Sequence, residues 1–309
     1  MTQKGFPMAT IDSILVIVDP TVEHDFVIDR LKGIISRNQA SVRFFINTSN
    51  TLTQHSYAYE GMDGHFLEKQ RLLFVEHYQK ILQDLVQEFS ELGVSATSAF
   101  TEEHNLAEAI LAEVREFDPD LVLKSTHHHN VFRKSIITNT DWRLIRKCRK
   151  PLLLVKPRSW YENGSVVASV DPLHAKAAQT QLDHRLIETA QTIARAFKQT
   201  ARVFHCYFPF VGTMFPTATE TSEQMQELKN RHETKLNELL ASHDIEPENV
   251  ELARGDLVPS LIHFLEKCQA NILVIGALSR NILERAIVGN TAEKILDDCP
   301  CDVLIIKPR

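Results

Sequence analysis

An α/β fold of two tandem, doubly wound, five-stranded parallel sheets is what the sequence predicts, and three observations predict it. The chain has 309 residues, about twice the length of an ordinary domain. It reads twice: "TNTDWRLIRKCRKPLLLVKPR" and "GNTAEKILDDCPCDVLIIKPR" align without a gap at a constant offset of 151 residues, Asn139 against Asn290 and Cys148 against Cys299. Within each half, short β-branched runs alternate with longer stretches of helical period, the pattern of parallel strands joined by crossover helices.

Taken in order, the first half has apolar runs at 13–18, 41–46, 95–99, 121–124 and 152–155. The second repeats them at 165–170, 201–207, 250–253, 272–275 and 303–306. The longest helix of each half is expected between strands two and three. In the second half this is "SEQMQELKNRHETKLNELLASH", with Met225, Leu228, Leu236, Leu239 and Leu240 as its apolar stripe. Proline, asparagine, glycine and serine break the pattern in "KPRSWYENGS", so the domains are expected to be 1–158 and 159–309. The fifth strands, "PLLLVKP" and "DVLIIKP", are short, apolar and expected at sheet edges, where unpaired backbone seeks a partner. An internal pseudo-dimer of the two halves is the expected packing, with further homodimerisation open.

The composition is that of an ordinary globular protein, with 43% hydrophobic and 24% charged residues. A formal charge of -6 gives no global attraction to nucleic acid or anionic membrane. The start, "MTQKGFPMATIDS", lacks the apolar core of a signal peptide, and no apolar run is long enough to span a bilayer. A cytoplasmic location is expected, and the five scattered cysteines suit free thiols there. No Walker lysine motif, metalloprotease helix or nucleophile with base and oxyanion donor can be assembled, so no catalytic residue is assigned.

Doubly wound sheets bind ligands beyond the carboxyl ends of strands one and four, where the winding reverses. In the second half those ends read "VDP" and "IGALS". The residues there resemble the universal stress protein family, and the duplication with "HHH", "TDW" and "GNTAE" resembles its tandem E-type members. The resemblance implies a Rossmann-like fold and, in the nucleotide-binding branch, ATP held by a loop of spaced glycines, with magnesium on the phosphates as an option. Residue by residue it implies adenine contact for Asp171, a loop opened by Gly276, and Ser279 at the second glycine position. Gly289 follows at the third, Asn290 replaces the hydroxyl residue with Thr291 one step later, and Cys206 lines the adenosine pocket. Two departures weigh against the motif. Serine in a left-handed conformation costs on the order of 1 kcal/mol, and Asn290 with Glu293 has the spacing of a capping box that needs no ligand.

The first half carries Ser125, His128 and Thr138 at the glycine positions, and Asp141 puts a carboxylate in the first turn of the following helix. Nucleotide is therefore not expected there, and Asp19 reads as a turn former. His127 and His129, alternate residues of an extended stretch, could face one metal ion but need a third ligand, so no zinc site is assigned. Cys299 and Cys301 read as buried thiols, and the basic residues of "RLIRKCRK" complement a helix C-terminus. Phe208, Phe210, Met214 and Phe215 suit either an apolar pocket or a cover for their own sheet. Function is thus expected to be adenine-nucleotide binding in the second half with a sensor role in stress or DNA-damage survival. The alternatives are a slow ATP hydrolase and a nucleotide-free scaffold or carrier of an apolar small molecule.

Overall fold

The computed structural model describes residues 11–19, 26–37, 39–48, 64–128, 135–173, 177–208, 222–276 and 290–308. The chain forms two units that divide between Pro157 and Arg158.

The first unit contains β1 (Ser13–Ile17), α1 (Phe26–Ile35), β2 (Ser41–Asn47), α2 (Gly64–Glu91), β3 (Ala96–Thr101), α3 (Leu106–Phe117) and β4 (Leu121–Ser125). A short antiparallel ladder follows, β5 (His127–His128) against β6 (Ser135–Ile136), then α4 (Asn139–Lys147) and β7 (Leu152–Val155). The parallel strands run in the order β3-β2-β1-β4-β7. Both faces of the sheet are covered, which is why β1 and β7 are unbroken apolar runs rather than alternating ones. Ile14, Leu15, Val16, Val122, Leu123 and Leu154 are fully buried. On one face Phe44 meets Phe89 of α2 edge-on, centroids 5.1 Å apart. On the other, Arg43 bonds Glu113 of α3 at 2.8 Å and lies over Phe117.

The second unit repeats the plan with β8 (Ser165–Ser169), α5 (Ala177–Phe197), β9 (Thr200–Tyr207), α6 (Ser222–Leu240), β10 (Val250–Arg254), α7 (Leu257–Lys267), β11 (Ala270–Gly276), α8 (Asn290–Asp298) and β12 (Asp302–Ile306). Its strand order is β10-β9-β8-β11-β12, all parallel. Every expected strand is present with bounds within two residues of those read from the apolar runs. Successive residues of β9 divide between the two faces of the sheet: Phe204 packs against Phe264 of α7, and His205 against His232 of α6.

Two expectations are corrected. In the second half the longest helix precedes strand two: α5 has 21 residues and α6 has 19. The reason is burial, since α5 lies along β8, β9 and β11 and buries Leu186, Ile187, Ala190 and Ala194 over its length. The stripe of α6 is buried at Leu236 and Leu239 only, while Met225, Leu228 and Leu240 are half-exposed. The capping register is also one residue earlier than "GNTAE" suggested. Thr138 is the cap of α4 and Asp141 closes the capping box, whereas Asn139 is already helical. Asn290, its equivalent, is likewise already helical, in α8.

Candidate ligand-binding site

Beyond the carboxyl ends of β8 and β11, which pair directly, the chain passes from buried Val170 to exposed Asp171. The Asp171 N–H donates to Asp183 Oδ1 of α5 at 3.4 Å, and Asp171 Oδ1 accepts from the Leu173 N–H at 3.4 Å. Asp183 itself is buried. The carboxylate of Asp171 therefore sits on a turn tied to α5, at the edge where the winding reverses. Gly276 ends β11 next to it. A Cβ there would lie 2.7 Å from Leu182 Cδ2, so the close approach of α5 explains this glycine without any ligand. Asn290 and Thr291 open α8, whose first turn leaves backbone amides unsatisfied within the helix. Ser279 and Gly289 lie outside the described residues, as do the side chains of Asn290 and Thr291.

Cys206 takes the other face. Its Sγ bonds the Gly255 carbonyl at 3.4 Å, ahead of α7, while His205 and Tyr207 turn toward α6. Burial pushes the Cys206 thiol above its ordinary value, so it is neutral at pH 7. Cys299 and Cys301 are buried free thiols, Sγ to Sγ 3.5 Å. Burial and then the neighbouring sulfur hold Cys301 well above the ordinary thiol range. Among the described residues no three His, Cys, Asp or Glu side chains converge as a metal site. His127 enters the short ladder with Ile136 as its partner; its side chain, and all of His129, lie outside the described residues. Phe208 is exposed, and Phe210, Met214 and Phe215 fall outside the described residues.

The same edge of the first unit is filled from within. Lys124, two residues before the end of the strand pairing at Thr126, and Asp141 of α4 are both buried, with Nζ 2.9 Å from Oδ1. This contact is an ion pair, not an aligned hydrogen bond. The ammonium also donates to the Ser125 carbonyl at 2.9 Å. Asp141 Oδ2 accepts from both the N–H and the hydroxyl of Thr138 at 2.8 Å. A protein carboxylate thus stands at the positive end of α4, where an anion would otherwise be attracted. A cleft of 360 Å³ lies beside it, between Glu103–Leu106 and the Asn139, Thr140 and Arg143 side of α4, open to solvent.

Two histidine pairs of the second unit were not foreseen. His205 Nε2 lies 2.8 Å from His232 Nδ1, and His184 Nδ1 lies 2.8 Å from His243 Nε2. They fasten α6 and the turn after it to β9 and α5. Only the alternation of His205 and Tyr207 in "FHCY" could have hinted at the first pair. Burial lowers His232 and His243 below the ordinary imidazole value. The folded unit then binds fewer protons than the unfolded chain just below about pH 6.5, so the stability these neutral rings carry is complete above that pH and is lost as the pH falls through their folded values. Urea midpoints of the second unit are expected to fall between pH 7 and pH 5, with a smaller fall in His243→Asn. Identical slopes in both proteins would contradict this.

A repeated five-stranded parallel sheet with helices on both faces defines a tandem doubly wound α/β protein. The universal stress protein family pattern matches residues 10–156 and 178–307, and the chain belongs to that family. It is 26% identical over 310 residues to universal stress protein E of Photorhabdus laumondii, covering 97% of this chain and 96% of that one. Against universal stress protein E of Escherichia coli K12 it is 30% identical over 209 residues, 65% of each chain. A functionally unknown protein of Pseudomonas aeruginosa PAO1 has the same fold, with a TM-score of 0.76, 24% identity and coverage of 97% and 94%. A universal stress protein of Archaeoglobus fulgidus aligns with a TM-score of 0.64 at 14% identity, over 97% and 99%. No described helix is long and apolar enough to cross a membrane.

Proposed function

We propose that the second unit binds an adenine nucleotide at the β8 and β11 edge, and that the chain works as a stress-response sensor through that binding. The observation that carries the reading is the contrast between equivalent edges. In the first unit the place is taken by the buried Lys124–Asp141 pair; in the second it presents exposed Asp171, Gly276 without a side chain and the opening of α8. Asp171 would accept from the base or sugar. The backbone amides at the start of α8 would meet phosphate, assisted by Ser279, Asn290 and Thr291, with Gly289 allowing close approach.

Mass spectrometry of ligands released from native protein tests this directly, followed by binding of ATP with magnesium. Replacing Gly289 with a bulky residue is expected to abolish ATP binding, whereas Thr138→Val leaves it intact. Asp171→Ala is expected to weaken adenosine and ATP alike, by about tenfold or more for a hydrogen bond to a charged group. Equal losses at Gly289 and Thr138, or an Asp171 effect confined to the triphosphate, would overturn the assignment. ATP turnover that disappears with Gly289 would make the protein a hydrolase instead. Release of an apolar compound and no nucleotide would make it a carrier.

A further inference from the structure

The orientation of the His205–His232 pair can be worked out from its partners. His205 is buried, 2% exposed, and its Nδ1 lies 3.1 Å from the Val170 carbonyl. A carbonyl only accepts, so Nδ1 carries the proton. Burial disfavours a second proton on this ring, which leaves Nε2 of His205 as a lone pair. That lone pair faces Nδ1 of His232 at 2.8 Å, so His232 Nδ1 is the donor. His232 in turn keeps its other nitrogen, Nε2, unprotonated and turned away from His205. The ring is fixed by more than this bond, because Tyr207, two residues along β9 and on the same face, stacks on it at 5.1 Å.

What surrounds the free nitrogen matters. Through His205 the ring is bonded to the carbonyl of Val170, the residue before Asp171. Burial holds His232 below the ordinary imidazole value, the Asp171 carboxylate favours its proton, and Arg231 of the same helix opposes it. From α5, Asp183 accepts from the Asp171 N–H, and His184 lies 2.8 Å from His243.

We propose that His232 is a specificity residue of the nucleotide edge: its Nε2 lone pair and the Asp171 carboxylate form an acceptor pair that selects a base carrying an amino group over one carrying a keto oxygen. The inference rests on the nucleotide reading above. It also makes binding proton-linked, since a proton on Nε2 turns the acceptor into a donor, leaves the bond to His205 intact and directs the new cation at Asp171. Affinity for an amino-bearing base then drops as the pH falls, about tenfold per unit once His232 is protonated.

Two measurements test it. In the ligand-free protein, histidine nitrogen NMR is expected to show His205 and His232 both protonated on Nδ1 at neutral pH, and Asp171→Asn to lower the midpoint of the His232 titration. A proton resting on Nε2 of His232 overturns the proposal whatever binds. Calorimetry between pH 5 and 8 is expected to show adenosine favoured over inosine by tenfold or more at pH 8, with the preference shrinking on acidification. His232→Gln, which keeps a donor for His205 and an acceptor that does not titrate, is expected to retain binding and lose the pH dependence. Equal affinities for the two nucleosides, or the same flat profile in both proteins, overturn the role of His232 alone. Absence of adenosine binding beside the expected NMR result overturns the nucleotide reading and this role with it.

Discussion

Asp141→Ala is expected to destabilise the first unit by about 3–5 kcal/mol, because it leaves the buried ammonium of Lys124 without its counter-charge. Lys124 and Asp141 are 3% and 0% exposed, so water cannot replace the lost partner. The same substitution removes the acceptor for the Thr138 N–H and hydroxyl, which adds about 1 kcal/mol for the lost helix cap. Lys124→Met alone is expected to cost as much, since the carboxylate is then the stranded charge. Lys124→Met combined with Asp141→Asn removes both charges and keeps an acceptor for Thr138. It is expected to return most of the stability, as buried ion pairs exchanged for neutral groups usually do. Amide hydrogen exchange of β4 and α4 in the four proteins reads the outcome. A single variant within about 1 kcal/mol of the parent would show that the pair is not buried as described.

That pair also shows how far the sequence could be read. The central strands were legible because they are buried parallel strands whose residues must be apolar on both faces, as in "SILVI" and "LLLV". Asp141 was visible as a carboxylate in the first turn of a helix, and its opposition to phosphate followed from charge alone. Its buried partner was not visible, because Lys124 follows the apolar run Leu121, Val122 and Leu123 and nothing local says which face it takes. Helix lengths in the second half were misjudged for a related reason. The stripe of α6 stands out in the sequence, yet α5 buries small residues such as Ala190 and Ala194 that leave a weak apolar signal. In the second half, Asp171 and Gly276 were legible as residues at the winding reversal, the one following β8 and the other ending β11. The His205–His232 bond was not, since it depends on α6 crossing β9 at one point of its length.

The other large effect is expected at Gly164, in a segment the sequence marked only as a break between halves. Here β11 carries a register shift between Ala270 and Ile272 opposite β8, which leaves Asn271 as the extra residue of a bulge. Its side chain, fully buried, turns onto the residues before β8. Oδ1 accepts from the Tyr161 N–H at 2.8 Å and from Arg158 at 3.2 Å, and Nδ2 donates to the Tyr161 carbonyl at 2.8 Å. Arg158 lies over the Tyr161 ring, and Trp160 donates to buried Asp302 at 2.8 Å while meeting Phe197 edge-on. One asparagine thus holds residues 158–164 against the rest of the second unit. A Cβ on Gly164 would stand 2.2 Å from Asn271 Nδ2, 2.6 Å from its Cγ and 2.9 Å from the Gln269 carbonyl. The amide cannot withdraw without stranding the Tyr161 backbone, and the Gln269 carbonyl is fixed by the Ser165 N–H at 3.2 Å. Gly164→Ala is therefore expected to cost about 3–5 kcal/mol, from overpacking together with broken buried hydrogen bonds. Gly93→Ala is the comparison. Gly93 has φ +79° with nothing within 4 Å of an added Cβ, so that change is expected to cost roughly 1 kcal/mol of backbone strain alone. Asn271→Ala added to Gly164→Ala is expected to cost less than the two changes summed, because they disrupt one clamp. Urea unfolding of the parent and the four variants measures this, and a Gly164→Ala loss no greater than that of Gly93→Ala would rule out the clamp.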